Sequence, residues 1–357
     1  MPLARFHPAG FEVEETPYGV TLRRQEILPE GRLQRGRRAP ELQGLDADDF
    51  AYLDTETTGL SGGTGTYAFA CAVARPHPLG VELVQLLLAE PAAEPAFLFA
   101  VDRELRRSRG LATYNGATFD LPLLRTRWTI CRLPGDLREP PHLDLLHLGR
   151  SLLRHRLGVC TLRHVEDRLL GFEREGDIPG ELIPRAYFDY LHVGWSPELE
   201  RTLSHNRQDV LSLQHLLHRL LIRLRGDDPL MDGDDWLALA RHLLRRGRRS
   251  AGWRALRVAA GLGEPAAVQL LARRKAVVLE WRLRQPAAAL RVVEEALARL
   301  GQDGDLERRE LRLRRRLDHA QRRNRRSQHG AQTVAFADQA GERLDHPRVI
   351  GLARLLT

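Results

Sequence analysis

The chain has 357 residues, 43% of them apolar, and a formal net charge of +8, which is enough length for two domains with separate cores. No stretch approaches the roughly 20 uninterrupted apolar residues of a membrane helix, and MPLARFHPAG carries no apolar h-region, so a soluble, cytoplasmic protein without membrane contact is expected. Cys71, Cys131 and Cys160 lie too far apart for a zinc site and are too few for a disulfide framework, which leaves buried free thiols.

In chain order, FEVEETPY and VTLRRQEIL flank Gly19 and alternate loosely, which predicts a β-hairpin over residues 11–30. The charged run after it, with RGRRAP, reads as a linker, so residues 1–47 form an N-terminal hairpin and linker. FAYLD (Phe50 to Asp54), YAFACAVAR and VELVQLLLA are predicted as a meander of buried strands, the first two separated by a glycine-rich turn. A helix is expected from about Glu94 to Ser108, a short strand at Leu111 to Asn115 ending in an Asn-Gly turn, and a helix starting near Phe119. HLDLLHLGRSLLR gives a strand end and then a helix capped by Asp144. From Leu199 the pattern turns helical. Strands first, then alternating strands and helices, define an α/β domain with a mixed sheet flanked by helices over residues 48–225.

The acidic stretch Gly226 to Asp235 lacks apolar periodicity and marks a boundary. Residues 231–325 read as an all-α domain of helical hairpins with a tetratricopeptide-like rhythm, in which Trp236, Trp253 and Trp281 are expected to pack between helices. Residues 327–357 form a tail with a short amphipathic helix near Arg348 to Leu356. Arginine supplies 54 of the 55 basic side chains, Lys275 being the one lysine, and residues 231–326 hold 24 basic against 12 acidic side chains. A basic helical region next to an acidic site points to a polyanionic partner, nucleic acid first.

Asp54 and Glu56 end an apolar strand, and two-residue alternation puts both on one face. Neighbouring carboxylates repel unless cations neutralise them, and hard oxygen ligands suit Mg²⁺ or Mn²⁺. The run YLDTETTGLSGGTGTYAF carries the pair into a loop with Gly59, Gly62, Gly63 and Gly65, where backbone N–H groups can approach a ligand. No Gly-Lys-Ser/Thr follows, so this is not a Walker loop. Asp120, in YNGATFDLPLLR, begins a helix. Asp209, in SHNRQDVLSL, has His205 one turn before it on the same helix face. Thr55, Thr57, Gly59, Leu60, Tyr114 and Asn115 are candidates for the groove that receives a nucleotide.

Taken together, DTETTGLSGGTGTYAF, YNGATFDLPLL, HLDLLHLGR, CTLRHVEDRLLGFEREGDIPGELIPRAYFDYL and HNRQDVLSL resemble the YprB-like ribonuclease H-like family of the DEDD exonuclease superfamily, in which a tetratricopeptide-like region follows the nuclease domain. The resemblance covers roughly residues 48–225. It implies a ribonuclease H-like fold and a 3'-5' exonuclease acting on single-stranded DNA or RNA. It also places Asp54, Glu56, Asp120 and Asp209 at the four acidic positions, which hold two Mg²⁺ or Mn²⁺ ions. Two such metals about 3.5–4 Å apart can both activate water and stabilise the leaving oxygen. Asp54 is assigned as the bridging ligand, with Glu56 and Asp209 completing the site of the water-binding ion and Asp120 serving the other. One branch of the superfamily has Tyr with three intervening residues before the last Asp, and the other has His with four. His205 stands at the tyrosine spacing. With an ordinary pKa near 6.5, a histidine there can accept or orient the proton of the attacking water. Two rival readings stay open: a nucleic-acid-binding or scaffolding protein with a degenerate nuclease fold, whose helical domain takes a protein partner, and an endonuclease on the same fold. Retention of all four acids argues against the first.

Overall fold

The computed structural model describes residues 10–29, 39–59 and 64–341, with side chains to residue 325. Leu60, Gly62, Gly63 and the expected helix near Arg348 to Leu356 lie outside the described residues. The predicted hairpin is β1 (Glu12–Thr16) and β2 (Gly19–Leu28), and the meander is β3 (Phe50–Thr57), β4 (Ala68–His77) and β5 (Gly80–Leu87). With β6 (Gly110–Thr113) and β7 (His142–Asp144) these make one seven-stranded sheet in the order β1-β2-β5-β4-β3-β6-β7. β6 runs parallel to β3 and to β7, and every other pair is antiparallel. The hairpin is part of this sheet, since β2 pairs with β5 from Leu22–Leu87 to Leu28–Val81.

Helices cover both faces, which is why β4 and β5 are buried along most of their length and are mostly apolar. The rung Arg24–Gln85–Ala72–Asp54 crosses four strands and faces α6 (Pro197–Arg225). Arg24 pairs with Glu200 at 3.3 Å, and Gln85 donates to the Leu203 carbonyl at 2.8 Å. Ala70, Ala72 and Ala74 lie on that face too, and their small side chains leave room for the helix backbone. On the opposite face Arg75 and Arg23 reach Glu104 of α1 (Glu94–Arg106). Ser196 caps α6 by accepting from Leu199 N at 3.1 Å, Pro197 supplies a preset first turn, and Gly226 ends it at φ 76°. A side chain at Gly226 would also collide with the Trp236 ring.

Between these elements come α2 (Asp120–Ile130), α3 (Leu145–Leu157), the single turn α4 (Leu162–Val165) and α5 (Ile183–Val193). Asp144 caps α3 as expected, accepting from Leu146 N at 3.0 Å. The cysteines are free, Cys71 and Cys160 buried and Cys131 half-buried. No described helix is long and apolar enough to cross a membrane.

Two compact units divide between Ala255 and Leu256, so α7 (Gly233–Arg245) belongs with the sheet and α8 (Arg249–Gly261) spans the division. Asp235 opens α7 in a capping box with Asp232 and, deeply buried, accepts from His155 at 3.0 Å, Arg156 at 2.6 Å and Arg223 at 2.7 Å. Burial alone would raise its pKa, but these three partners hold it well below the usual carboxylate range. Asp235→Ala removes the carboxylate shared by His155, Arg156 and Arg223, leaving Arg223 with Asp228 and Arg156 with Asp232, and is expected to cost about 1–3 kcal/mol in urea denaturation. A loss under about 1 kcal/mol would show that the cluster is solvated in practice.

The second unit contains α9 (Pro265–Val277), continued by a π turn over Val278–Arg282, then α10 (Pro286–Leu300) and α11 (Gly304–Gly341). α10 packs against α9 and α11, and Ala276, Ala289, Val293 and Leu313 of these helices are buried. One expectation is corrected here: Trp281 does not pack between helices but is 61% exposed, with the Arg316 guanidinium 5.6 Å from its ring centre. The π turn directs Glu280 inward, where it receives Arg309, Arg312 and Arg316, and the next residue therefore faces out.

Candidate active site

Asp54 and Glu56 stand on the α6 face at the end of β3, where a register shift against β4 falls between Glu56 and Thr57. Asn206, fully buried on α6, donates to Asp54 Oδ2 at 2.8 Å and to its backbone carbonyl at 3.1 Å. Asp209 follows one turn later on the same helix. Asp120 begins α2, and its Oδ1 accepts from Thr55 N at 3.1 Å and Thr55 Oγ1 at 2.5 Å. The four acids, drawn from β3, α2 and α6, are thus brought into one electrostatic group.

Their charges register on one another. Burial, then the charges of Asp209, Glu56 and Asp120, push Asp54 well above the usual carboxylate range, opposed by the Asn206 hydrogen bond. Burial, Asp209 and Asp120 do the same to Glu56, opposed by Arg174. Asp120 is pushed up to about 6 by burial, against the hydrogen bonds from Thr55. Burial raises Asp209, with His205 and Arg174 opposing. A group whose pKa is raised by folding contributes stability that is full below its unfolded value, about 4 here, and lost as pH climbs through its folded value. The metal-free chain should therefore melt at falling temperature from about pH 5 to about pH 8, through the titration of Asp120 and beyond. Mn²⁺ at about 100 times its Kd should return about 2.7 kcal/mol at the upper pH. A melting temperature at pH 8 indifferent to Mn²⁺ would contradict the mutual placement of these acids around a cation.

Four further residues at the site are not among the candidates read from the sequence, although they lie within the runs that carry the resemblance. Arg174 donates to both oxygens of buried Glu166 at 2.6 Å and to Asp209 Oδ1. Asp177 Oδ1 lies 2.7 Å from His205 Nδ1, and Arg174 Nη1 lies 3.0 Å from the same atom. Nδ1 thus stands between an acceptor carboxylate and a donor guanidinium, and Nε2 lies 3.8 Å from Asp209 Oδ2. Asn206 is the fourth; it sits inside HNRQD, three residues before the last acid.

The candidate lining residues are mostly engaged with their neighbours. Thr55 holds Asp120, and Thr57 Oγ1 donates to the Gly59 carbonyl at 2.9 Å. Tyr114 donates its hydroxyl to the Cys160 carbonyl at 2.8 Å. Asn115 takes a left-handed turn at φ 66°, its N–H bound to Asp144 Oδ1 at 2.9 Å. Among the described residues, ligand atoms of three such side chains come within 4.8 Å of one another at His155, Asp232 and Asp235, and not at the four acids. The arginines on Asp235 already compensate that trio, which ties α7 to α3 and α6.

Residues 51–221 match the model of RNase_H_2, a family of the RNase_H superfamily, so an RNase H superfamily domain occupies this segment and the mixed sheet with its flanking helices is RNase H-like. Over 177 residues the chain is 40% identical to the uncharacterized protein YprB of Bacillus subtilis (strain 168), a match covering 48% of this chain and 41% of that protein. The chain thus spans about two fifths of that relative's length. Among solved structures, a family B DNA polymerase from the hyperthermophilic archaeon Pyrobaculum calidifontis aligns at a TM-score of 0.37 with 18% identity, over 55% of this chain and 29% of that one. A likeness that slight carries no argument.

Proposed function

We propose that this chain is a divalent-metal-dependent nuclease of the DEDD type, hydrolysing single-stranded DNA or RNA from the 3' end, with a tetratricopeptide-like region after the nuclease domain. The observation that carries this reading is Glu56, whose Oε1 is buried without a hydrogen-bond partner beside three other carboxylates. A buried, unsatisfied carboxylate oxygen costs free energy unless something positive meets it, and an all-oxygen donor set fits a hard divalent ion. Asp54, Glu56, Asp120 and Asp209 would hold two Mg²⁺ or Mn²⁺ ions. Bound there, such ions supply Lewis-acid stabilisation of phosphoryl oxygens and water of lowered pKa. Asn206 orients the Asp54 carboxylate and Thr55 that of Asp120. His205, with Asp177 against Nδ1, would offer Nε2 to accept or orient the water proton.

Purified protein incubated with end-labelled single-stranded and duplex DNA and RNA, with Mg²⁺ or Mn²⁺, tests the proposal. A ladder of single-nucleotide steps from the 3' end is expected on single strands. A single internal cut would favour an endonuclease, and no cleavage with retained binding a degenerate, scaffolding protein.

The basic helices would add electrostatic affinity, not chemistry. Arg315, Arg322 and Arg323 are exposed along α11. Replacing all three by Ala should flatten the salt dependence of single-strand binding by about 0.7 in log–log slope for each phosphate no longer neutralised, leaving turnover at saturation unchanged. An unaltered slope would turn this surface over to a protein partner instead.

A further inference from the structure

Arg174 lies between the π turn Glu166–Leu170 and the short turn Gly180–Leu182, yet its side chain is only 7% exposed. Its guanidinium makes the two-pronged contact with Glu166, whose side chain is 1% exposed and which also accepts from Ser212 of α6. A planar fork held on both prongs by a buried carboxylate has one orientation. From that orientation Nη2 also donates to Asp209 Oδ1. The Asp209 carboxylate is thereby pinned through Oδ1, which leaves Oδ2, on the His205 side, without a partner from Arg174.

We propose that Arg174 is a positioning residue of the four-acid site: anchored by Glu166, it fixes the orientation of the Asp209 carboxylate through Oδ1, and so holds ready a residue that would bind the divalent ion. The inference rests on the metal site proposed above and goes beyond it by naming what holds one of its ligands. Outer partners that orient a ligand typically contribute 10–100-fold in metal affinity or activity. A guanidinium so close to the acids has an opposing effect, because its charge repels the ion. The two effects separate in Arg174→Lys, which keeps the charge and the counter-ion of Glu166 but loses the fork, since one ammonium cannot grip both Glu166 oxygens and Asp209 in fixed geometry.

Mn²⁺ binding to the full chain, titrated by calorimetry in wild type, Asp54→Asn and Arg174→Lys, is the test, with thermal melts confirming that each variant is folded. Wild type should bind, Asp54→Asn should lose binding, and Arg174→Lys should bind at least about 10-fold more weakly at an unchanged stoichiometry. Affinity of Arg174→Lys within threefold of wild type, or tighter, would overturn this inference alone and make the arginine a bystander or a competitor of the ion. Wild-type protein that takes up no Mn²⁺ would overturn the metal site and this inference with it.

Discussion

Asp54→Asn is expected to lower hydrolysis by about 10⁴-fold, because a ligand worth several kcal/mol of charge stabilisation is removed and each 1.36 kcal/mol is a factor of ten. Asp54 is the acid whose pKa is pushed up by all three of the others, so it stands where their fields meet. Asparagine keeps the shape, and its carbonyl can still accept from Asn206, so no cavity opens and no donor is stranded. Removing one of several mutually repelling buried charges should leave the melting temperature of the metal-free protein equal or higher. Asp209→Asn should act alike on turnover, though there the loss also releases Arg174. Cleavage by either variant at the wild-type rate with unchanged metal dependence would mean that the chemistry lies elsewhere.

His205→Ala should reduce turnover by roughly 10²–10⁴-fold if the imidazole takes the water proton, with Mn²⁺ affinity within a few-fold of wild type. The geometry behind this is the contact of Nδ1 with Asp177, which leaves Nε2 on the side of Asp209, 3.8 Å from its Oδ2. His205→Tyr should restore part of the rate, since a hydroxyl at that spacing can orient water without taking its proton. A loss smaller than about threefold in His205→Ala, far below the range for a general base, would reduce the histidine to a partner of Asp177 and leave proton transfer to the metal-bound water itself.

Much of the sheet is legible in the sequence because its signals are local. Phe50 to Leu53 and most of β4 and β5 are apolar, and strand alternation alone places Asp54 and Glu56 together. Asp144 as a cap and Asp209 with His205 on one helix face follow from spacing within a turn. What escapes depends on contacts between distant segments. Gln85 reads as a stray polar residue in an apolar strand until the rung Arg24–Gln85–Ala72–Asp54 sets it under α6. That lone glutamine in VELVQLLLA is the available signal. Thr55 is a candidate for the groove, and that its hydroxyl holds Asp120, 65 residues away, is not visible in the sequence. Arg174 and Glu166 lie eight residues apart across a π turn, a spacing that no helix or strand periodicity brings together. The edge pairing of the N-terminal hairpin with β5 is likewise a matter of register between segments, which alternation inside each cannot specify. Trp281 misleads because helical spacing predicts an inward face, and the π turn shifts the phase at Glu280.

The central claim, that Asp54, Glu56, Asp120 and Asp209 form a divalent-metal centre, is tested most directly by diffraction at the manganese absorption edge from crystals of the full chain grown with Mn²⁺. Two anomalous peaks are expected among these four carboxylates, both beside Asp54 and both absent from Asp54→Asn crystals. Peaks confined to the His155, Asp232 and Asp235 cluster, or no peak beside Glu56 at saturating Mn²⁺, would contradict it.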